Sequence, residues 1–363
     1  MENTHSDDQS KIATEHSTPV DNLDFNKLNF HGNAKAFFNI WVVNTLLTIL
    51  TLGVYSAWAK VRTNRYIYSN TELDGHRFSY LAQPIQILKG RIVAALLIGL
   101  YFLLSSISPF GAIFLGLVVL SLTPILVVLG MRFNMRMTAY RNVRFGFKGR
   151  FARAFKVYAL FPLLSIFTLN LAFPWVLKKM DEFKFTHITF GQKQFEGEIE
   201  TSIYYLATFM GAFVALPVLV LLGLLSAISG NAGTSVLGES FTLISVFLFL
   251  LYIVVILVSN TAFQVVVRNH VFSRVTLPEV AHMHSDISFS GLVTLKLTNF
   301  LAIICSLGLA IPWAKIRSVK YFAEHTLVAT LPNADEVLEQ FQDDTNAIAE
   351  EAADLLDIDL SLG

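Results

Sequence analysis

The chain has 363 residues, of which 54% are hydrophobic and only 15% charged, and its net charge is zero. A soluble domain carries roughly 25% charged residues, whereas here no charge falls between Arg91 and Arg132 and only Glu239 is charged from Thr201 to Val267. Each run is long enough for a helical hairpin at about 20 residues per span and too unalternating for a membrane β-barrel, so the expected class is an all-α polytopic membrane protein.

In chain order, residues 1–29 are polar and read as a disordered N-terminus, too acidic for a signal-peptide start. A membrane domain follows over 30–330. Its apolar segments lie near 36–57, 92–107, 109–130, 155–176, 203–228, 241–262 and 293–313. The tail, 331–363, has no Lys or Arg. From Ala334 it sets Val337, Leu338, Phe341, Ile348, Leu355 and Leu356 among acids, as an amphipathic helix does.

One phrase recurs. TLGVYSAWAKVRTNRY (51–66) is echoed by TLNLAFPWVLKKMDEF (168–183) and SLGLAIPWAKIRSVKY (306–321). Aligned on Trp58, Trp175 and Trp313, each copy has a hydroxyl seven residues earlier (Thr51, Thr168, Ser306) and Gly53, Asn170 or Gly308 five earlier. Gly and Asn tolerate a left-handed backbone and end helices, and Pro174 and Pro312 suit a first helical turn. Each phrase therefore predicts helix, break, helix, within internal repeats over about 30–80, 147–197 and 289–330. A cation stands four residues past each Trp (Arg62, Lys179, Arg317) and an aromatic eight past it (Tyr66, Phe183, Tyr321). These positions share one helix face, suited to anchoring at a membrane interface. A lipid-headgroup or ligand site is the sharper reading of the same faces.

SNTELDGHRF (69–78) and THITFGQKQF (186–195) read as small β-hairpins with Gly turns, and RNVRF (141–145) and RNHVF (268–272) as strand-like pieces, all expected on the cytoplasmic side. Seven spans would place the basic loop 177–202 outside and the cation-free loop 229–240 inside, against the positive-inside rule. Four spanning helices with three re-entrant or half-inserted repeats remove that conflict. The rival is seven spans with the middle repeat inverted. Both put the C-terminus in the cytoplasm.

The phrases TLGVYSAWAKVRTNRY, NTELDGHRFSY and SLGLAIPWAKIRSVKY resemble those of the YjgN-like family of bacterial inner-membrane proteins, from Phe30 to the acidic tail. The resemblance implies a multi-pass inner-membrane protein and carries over no catalytic or binding residue. The middle copy departs from the pattern, with Asn170 for Gly and Leu177 for Lys.

Intramembrane polar residues are functional candidates. Asn44 and Asn299 stand fourteen residues before their Trp, where they line a pathway or bond between helices at about 1 kcal/mol. Lys296, Glu239 and Glu279 lie near segment ends. The scattered His residues, His282 and His284 included, make no complete metal set. Cys305 is the single cysteine, and no nucleophile elbow, Walker loop or dinucleotide fingerprint is written. His31 and His76 are the only repeat-placed candidates for an enzyme, the least supported class. Nothing calls for a cofactor or nucleic acid; the expected partners are membrane lipids, anionic ones included. Two functions remain: a transporter or channel for a small solute or lipid, and a non-enzymatic membrane-organising scaffold binding anionic lipid.

Overall fold

The computed structural model describes residues 23–231 and 238–332, and residues 334, 336, 337, 339 and 340 of the following turn. Residues 1–22 and 232–237, the side chain of Glu239 and most of the acidic tail lie outside the described residues.

Four helices are long and apolar enough to cross a membrane: α3 (Pro84–Ile107), α4 (Pro109–Arg136), α8 (Thr201–Asn231) and α9 (Gly238–Arg274). At 1.5 Å per residue the shortest spans about 36 Å, against about 30 Å of hydrocarbon. Their outward side chains, Leu96, Phe102, Phe114 and Phe213 among them, are apolar and exposed. The other helices are shorter: α1 (Ala34–Leu50) and α2 (Ser56–Ser69), then α5 (Phe151–Phe155), α6 (Phe161–Phe167) and α7 (Phe173–Phe185), then α10 (Phe289–Cys305) and α11 (Ile311–Glu324). Between α5 and α6 a π-turn covers Lys156–Leu160, where Pro162 has no N–H for the carbonyl four residues back.

The three helix breaks share one hydrogen-bond pattern. Leu52 and Gly53, Leu169 and Asn170, and Leu307 and Gly308 all have positive φ. The N–H groups of Gly53, Asn170 and Gly308 donate to the carbonyls of Thr48, Ser165 and Ile303 at 2.7, 2.9 and 2.8 Å. The hydroxyls of Thr51, Thr168 and Ser306 accept from the N–H groups of Tyr55, Ala172 and Ala310 at 2.9, 3.1 and 2.8 Å. That second bond explains the hydroxyl: it satisfies a donor at the start of the next helix, which has no intrahelical partner.

Each break folds its helices back as a hairpin. In the first, Tyr66 near the end of α2 returns to the start of α1, where its hydroxyl accepts from Asn33 N at 2.8 Å and donates to Asn33 O at 2.9 Å.

The β-structure is larger than the small hairpins expected. Strands β1 (Asn26–Lys27), β2 (Asn29–Phe30), β3 (Thr71–Leu73), β4 (His76–Tyr80), β5 (Thr138–Tyr140), β6 (Val143–Phe147), β7 (Ile188–Phe190), β8 (Lys193–Gln194), β9 (Thr276–Leu277), β10 (Ala281–Ser285) and β11 (Thr326–Thr330) pair antiparallel throughout. The order runs β2-β3-β4-β5-β6-β7-β8 in one sheet and β9-β10-β11-β1 in the other. Past β8, Glu196 pairs with Thr276 through two hydrogen bonds of 2.9 and 2.8 Å. At the other seam only Leu28 separates β1 from β2, and its N–H donates to Thr326 O at 3.1 Å. Both seams are thus joined and the strands form a closed ring. Such a ring requires an even strand count, met when residues 26–30 count as one strand. The sequence hid this because each strand is two to five residues long and its partner lies across a helical excursion. RNHVF (268–272) is not a strand but the last turns of α9: Val267, Val271 and Val275 recur every four residues and are buried on one face, a helical period.

Every helical hairpin leaves the ring from one strand and returns to a strand of the same ring. The ring interior holds the largest buried cluster, built from Leu73, Tyr140, Val143, Phe190, Leu277, Val280 and Val328.

Candidate functional site: a chamber inside the strand ring

The alternation of strands turns one side chain in two inward. Leu28, Leu73, Phe78, Tyr140, Phe145, Phe190, Phe195, Leu277, Met283 and Val328 face a common chamber of about 630 Å³. Its polar lining is confined to Asp74, His76, Arg141, Thr326, Thr330 and Glu339. The type I′-like turn at Asp74 and Gly75, both with positive φ, carries Asp74, whose carbonyl accepts from or is approached by His76 Nδ1 at 2.9 Å. After β11, Leu331 N–H donates to Val280 O at 2.9 Å, and Ala334 is buried against the cluster with Val337 beside it. The start of the acidic tail therefore covers part of the chamber's rim.

A second cavity of about 230 Å³ lies between the ring and the helices. It is lined by Tyr68, Met135, Phe185, Val271 and Val275, and it shares Phe78, Phe145, Phe195, Phe272 and Met283 with the chamber. Those five side chains form the partition between the ring interior and the ends of α4 and α9. The chamber, mostly apolar with a few polar groups in its lining, suits an apolar or amphipathic small molecule. Among the described residues it offers no nucleophile hydrogen-bonded to a base, and no group of three metal-ligating side chains occurs.

Of the residues singled out from the sequence, His76 lines the chamber, while the Asn, Trp and paired basic residues lie on the short hairpins. Asn299 is buried; its Nδ2 donates to Ser318 Oγ at 3.1 Å and Ala314 O at 3.4 Å, and its Oδ1 accepts from Arg317 at 3.3 Å. Asn44, at the same station, is buried with neither amide atom partnered. Trp58 stacks on Tyr55 at 6.1 Å and Trp175 packs on Phe161 at 4.8 Å. Arg317 lies over Trp313 at 5.2 Å and donates to Thr298 Oγ1 at 2.5 Å, so this cation is held within its own hairpin. Lys179 joins Lys178 on Glu182, at 3.1 and 2.7 Å. Burial raises the Glu182 carboxyl, but the hydrogen bonds from these two lysines outweigh it and hold it below the usual range. Arg62 is exposed. His31 meets Glu72 at 3.2 Å and His284 meets Ser273 at 2.9 Å, each on the outside of the ring.

Sequence reading missed the chamber and also Asp181. That carboxylate accepts from Tyr204 Oη at 2.7 Å. Burial pushes it above the ordinary range, against the opposing pull of Tyr204 and Lys184. Nearby Tyr158, in the π-turn, is pushed up to about 12 by burial and by Asp181. The signal available was Asp181 at the middle copy's counterpart of Asn64 and Val319, a charge on an otherwise apolar face.

Among known proteins the chain is similar to the inner membrane protein YjgN of Salmonella typhimurium (strain LT2), 25% identical over 351 residues, covering 83% of this chain and 88% of that one. It is 33% identical over 150 residues to YjgN of Escherichia coli O157:H7, or 40% of this chain and 36% of that one. With YjgN of Escherichia coli K12 it shares 38% over 124 residues, 32% of this chain and 30% of that one. No solved structure matches. The family described as "Bacterial protein of unknown function (DUF898)" matches residues 25–355, and the chain, with its four helices able to cross a membrane, belongs to that family.

Proposed function

We propose that this protein is an inner-membrane transporter that takes an apolar or amphipathic molecule of the lipid class between the bilayer and the chamber of its strand ring. The observation that carries this reading is the chamber itself: about 630 Å³, apolar, and separated by five shared side chains from a second cavity among the ends of the spanning helices. Four helices cross, and the three short hairpins enter the inner leaflet and return. Two facts support that arrangement. Hydrogen-bonded neighbours such as β6 and β7 flank the middle hairpin, and paired strands share one side of a membrane. The hairpin tips also present Leu52, Leu169 and Leu307 at 96, 87 and 94% exposure, in a left-handed backbone that costs a non-glycine residue roughly 1–2 kcal/mol; hydrocarbon is the solvent that suits them. The positive-inside rule then puts the ring and the C-terminus in the cytoplasm.

The test is binding of a fluorescent fatty-acyl probe to the purified full-length protein. Ala281 faces the chamber and its neighbour His282 does not. Ala281→Trp fills the chamber and should weaken binding about tenfold, or about 1.4 kcal/mol, while His282→Trp binds like the parent. Equal affinity of parent and Ala281→Trp would sink the reading. A membrane-organising scaffold is the second reading, supported by the apolar tips and the exposed cations beside them; it requires no occupant in the chamber.

A further inference from the structure

The first and third hairpins pack side by side. Phe37 and Trp41 of α1 meet Ile316 and Val319 of α11, and Lys315 Nζ lies 5.7 Å over the Phe37 ring. Beside this seam opens a cleft of about 460 Å³, lined by Trp41, Asn44, Thr45, Lys60, Thr63 and Lys315 among others. Asn44 is 4% exposed, and neither its Nδ2 nor its Oδ1 has a partner. An unpaired buried amide costs about 1–3 kcal/mol. The station does not demand that cost, because Asn299 occupies the equivalent place fully bonded.

Lys60 and Lys315 hold the same position in their two phrases, two residues past the Trp, where the middle phrase has Leu177. No Asp or Glu lines the cleft, and neither lysine has a carboxylate partner among the described residues. Two ammonium groups at the rim, an unsatisfied amide at the floor and hydroxyls between them make a donor-rich, carboxylate-free pocket. A phosphate oxyanion, with strong acceptors on several sides, is the group that satisfies such a set.

We propose that this cleft is a phosphate-binding site shared by the first and third hairpins, with Lys60 and Lys315 pairing the charge and Asn44, Thr45 and Thr63 donating to the oxygens. Its ligand is the phosphate of a lipid headgroup or free phosphate. The site stands apart from the chamber and does not depend on it.

The full-length protein, delipidated in detergent, is offered phosphatidylglycerol in mixed micelles or inorganic phosphate, and bound ligand is counted by native mass spectrometry. Parallel thermal unfolding with and without each probe confirms folding. Lys60→Gln with Lys315→Gln should reduce bound phosphatidylglycerol about tenfold and remove its upward shift in Tm. Asn44→Asp, which keeps the shape and adds a negative charge, should do the same, and Lys148→Gln, at an exposed cation beside the strand ring and away from the cleft, should not. Retention of inorganic phosphate alone, lost in the same variants, supports the site and makes free phosphate the ligand. If parent and variants bind both probes equally, or the parent binds neither, the site does not exist.

Discussion

Tyr204 Oη donates to Asp181 Oδ2 at 2.7 Å, tying the middle hairpin to α8, a helix long and apolar enough to cross a membrane, through a carboxylate that burial has pushed upward. A carboxyl whose folded pKa exceeds its unfolded one holds its proton longer in the native state. Stability is then greatest below the unfolded pKa of about 3.9, falls as pH rises toward the folded pKa, and stays reduced above it. Asp181→Asn keeps an acceptor for Tyr204 and removes the charge. It should unfold at a higher temperature than the parent near neutral pH, with the difference shrinking on acidification. A constant difference across the pH range, measured by thermal unfolding in detergent, would refute this account of Asp181.

Ring closure is testable at one glycine. A Cβ on Gly197 would stand 2.3 Å from the Arg274 carbonyl oxygen, beside the Glu196–Thr276 seam, and both neighbours are backbone. Gly197→Ala should destabilise by about 1–3 kcal/mol. Gly99→Ala, where a Cβ meets nothing within 4 Å, should be neutral or slightly stabilising. Equal melting of the two variants would mean that the seam contributes nothing.

Removing a break hydroxyl leaves an N–H without its acceptor. Ser306→Ala strands Ala310 N and Thr51→Val strands Tyr55 N. Each should lower stability by about 1 kcal/mol, the usual worth of a helix cap. Thr298→Val, whose hydroxyl accepts from Arg317, leaves that cation only Asn299 and the Trp313 ring and should raise its reactivity toward an arginine-specific reagent such as phenylglyoxal. A break hydroxyl that can be deleted without any shift in Tm would show that water replaces it.

The proposed placement of the ring on the cytoplasmic side is open to cysteine labelling. In a Cys305→Ser background, single cysteines at Arg77, Asn142, Gln194 and Glu279 sit on the turns or edges of the ring and should all react from the cytoplasm. A cysteine at Ser108, between α3 and α4, should react only from the opposite side. Labelling of Asn142 and Gln194 from opposite faces would instead establish seven spans and an inverted middle hairpin.

The sequence by itself determined the membrane class, the helix breaks and the hairpin turns. Each of these is local: uncharged length sets a span, a hydroxyl and a left-handed residue set a break, and Asp74-Gly75 sets a turn. The breaks at Gly53, Asn170 and Gly308 could be read beside Trp58, Trp175 and Trp313 because the break chemistry lies within eight residues of each. Only the tertiary structure decided what the strands do together. β6 meets β7 and β10 meets β11 across entire helical hairpins, and two to five residues of strand carry no signal for a partner some forty residues away. The chamber followed, since it exists only once ten short strands close and turn Phe78, Phe145, Phe190 and Met283 toward one space. Asn44 and Asn299 were indistinguishable as letters; Ala314, Arg317 and Ser318 of α11 bond Asn299, whereas neither amide atom of Asn44 has a partner. Local backbone preferences are encoded residue by residue, whereas enclosure is a property of the closed ring and belongs to no segment of it.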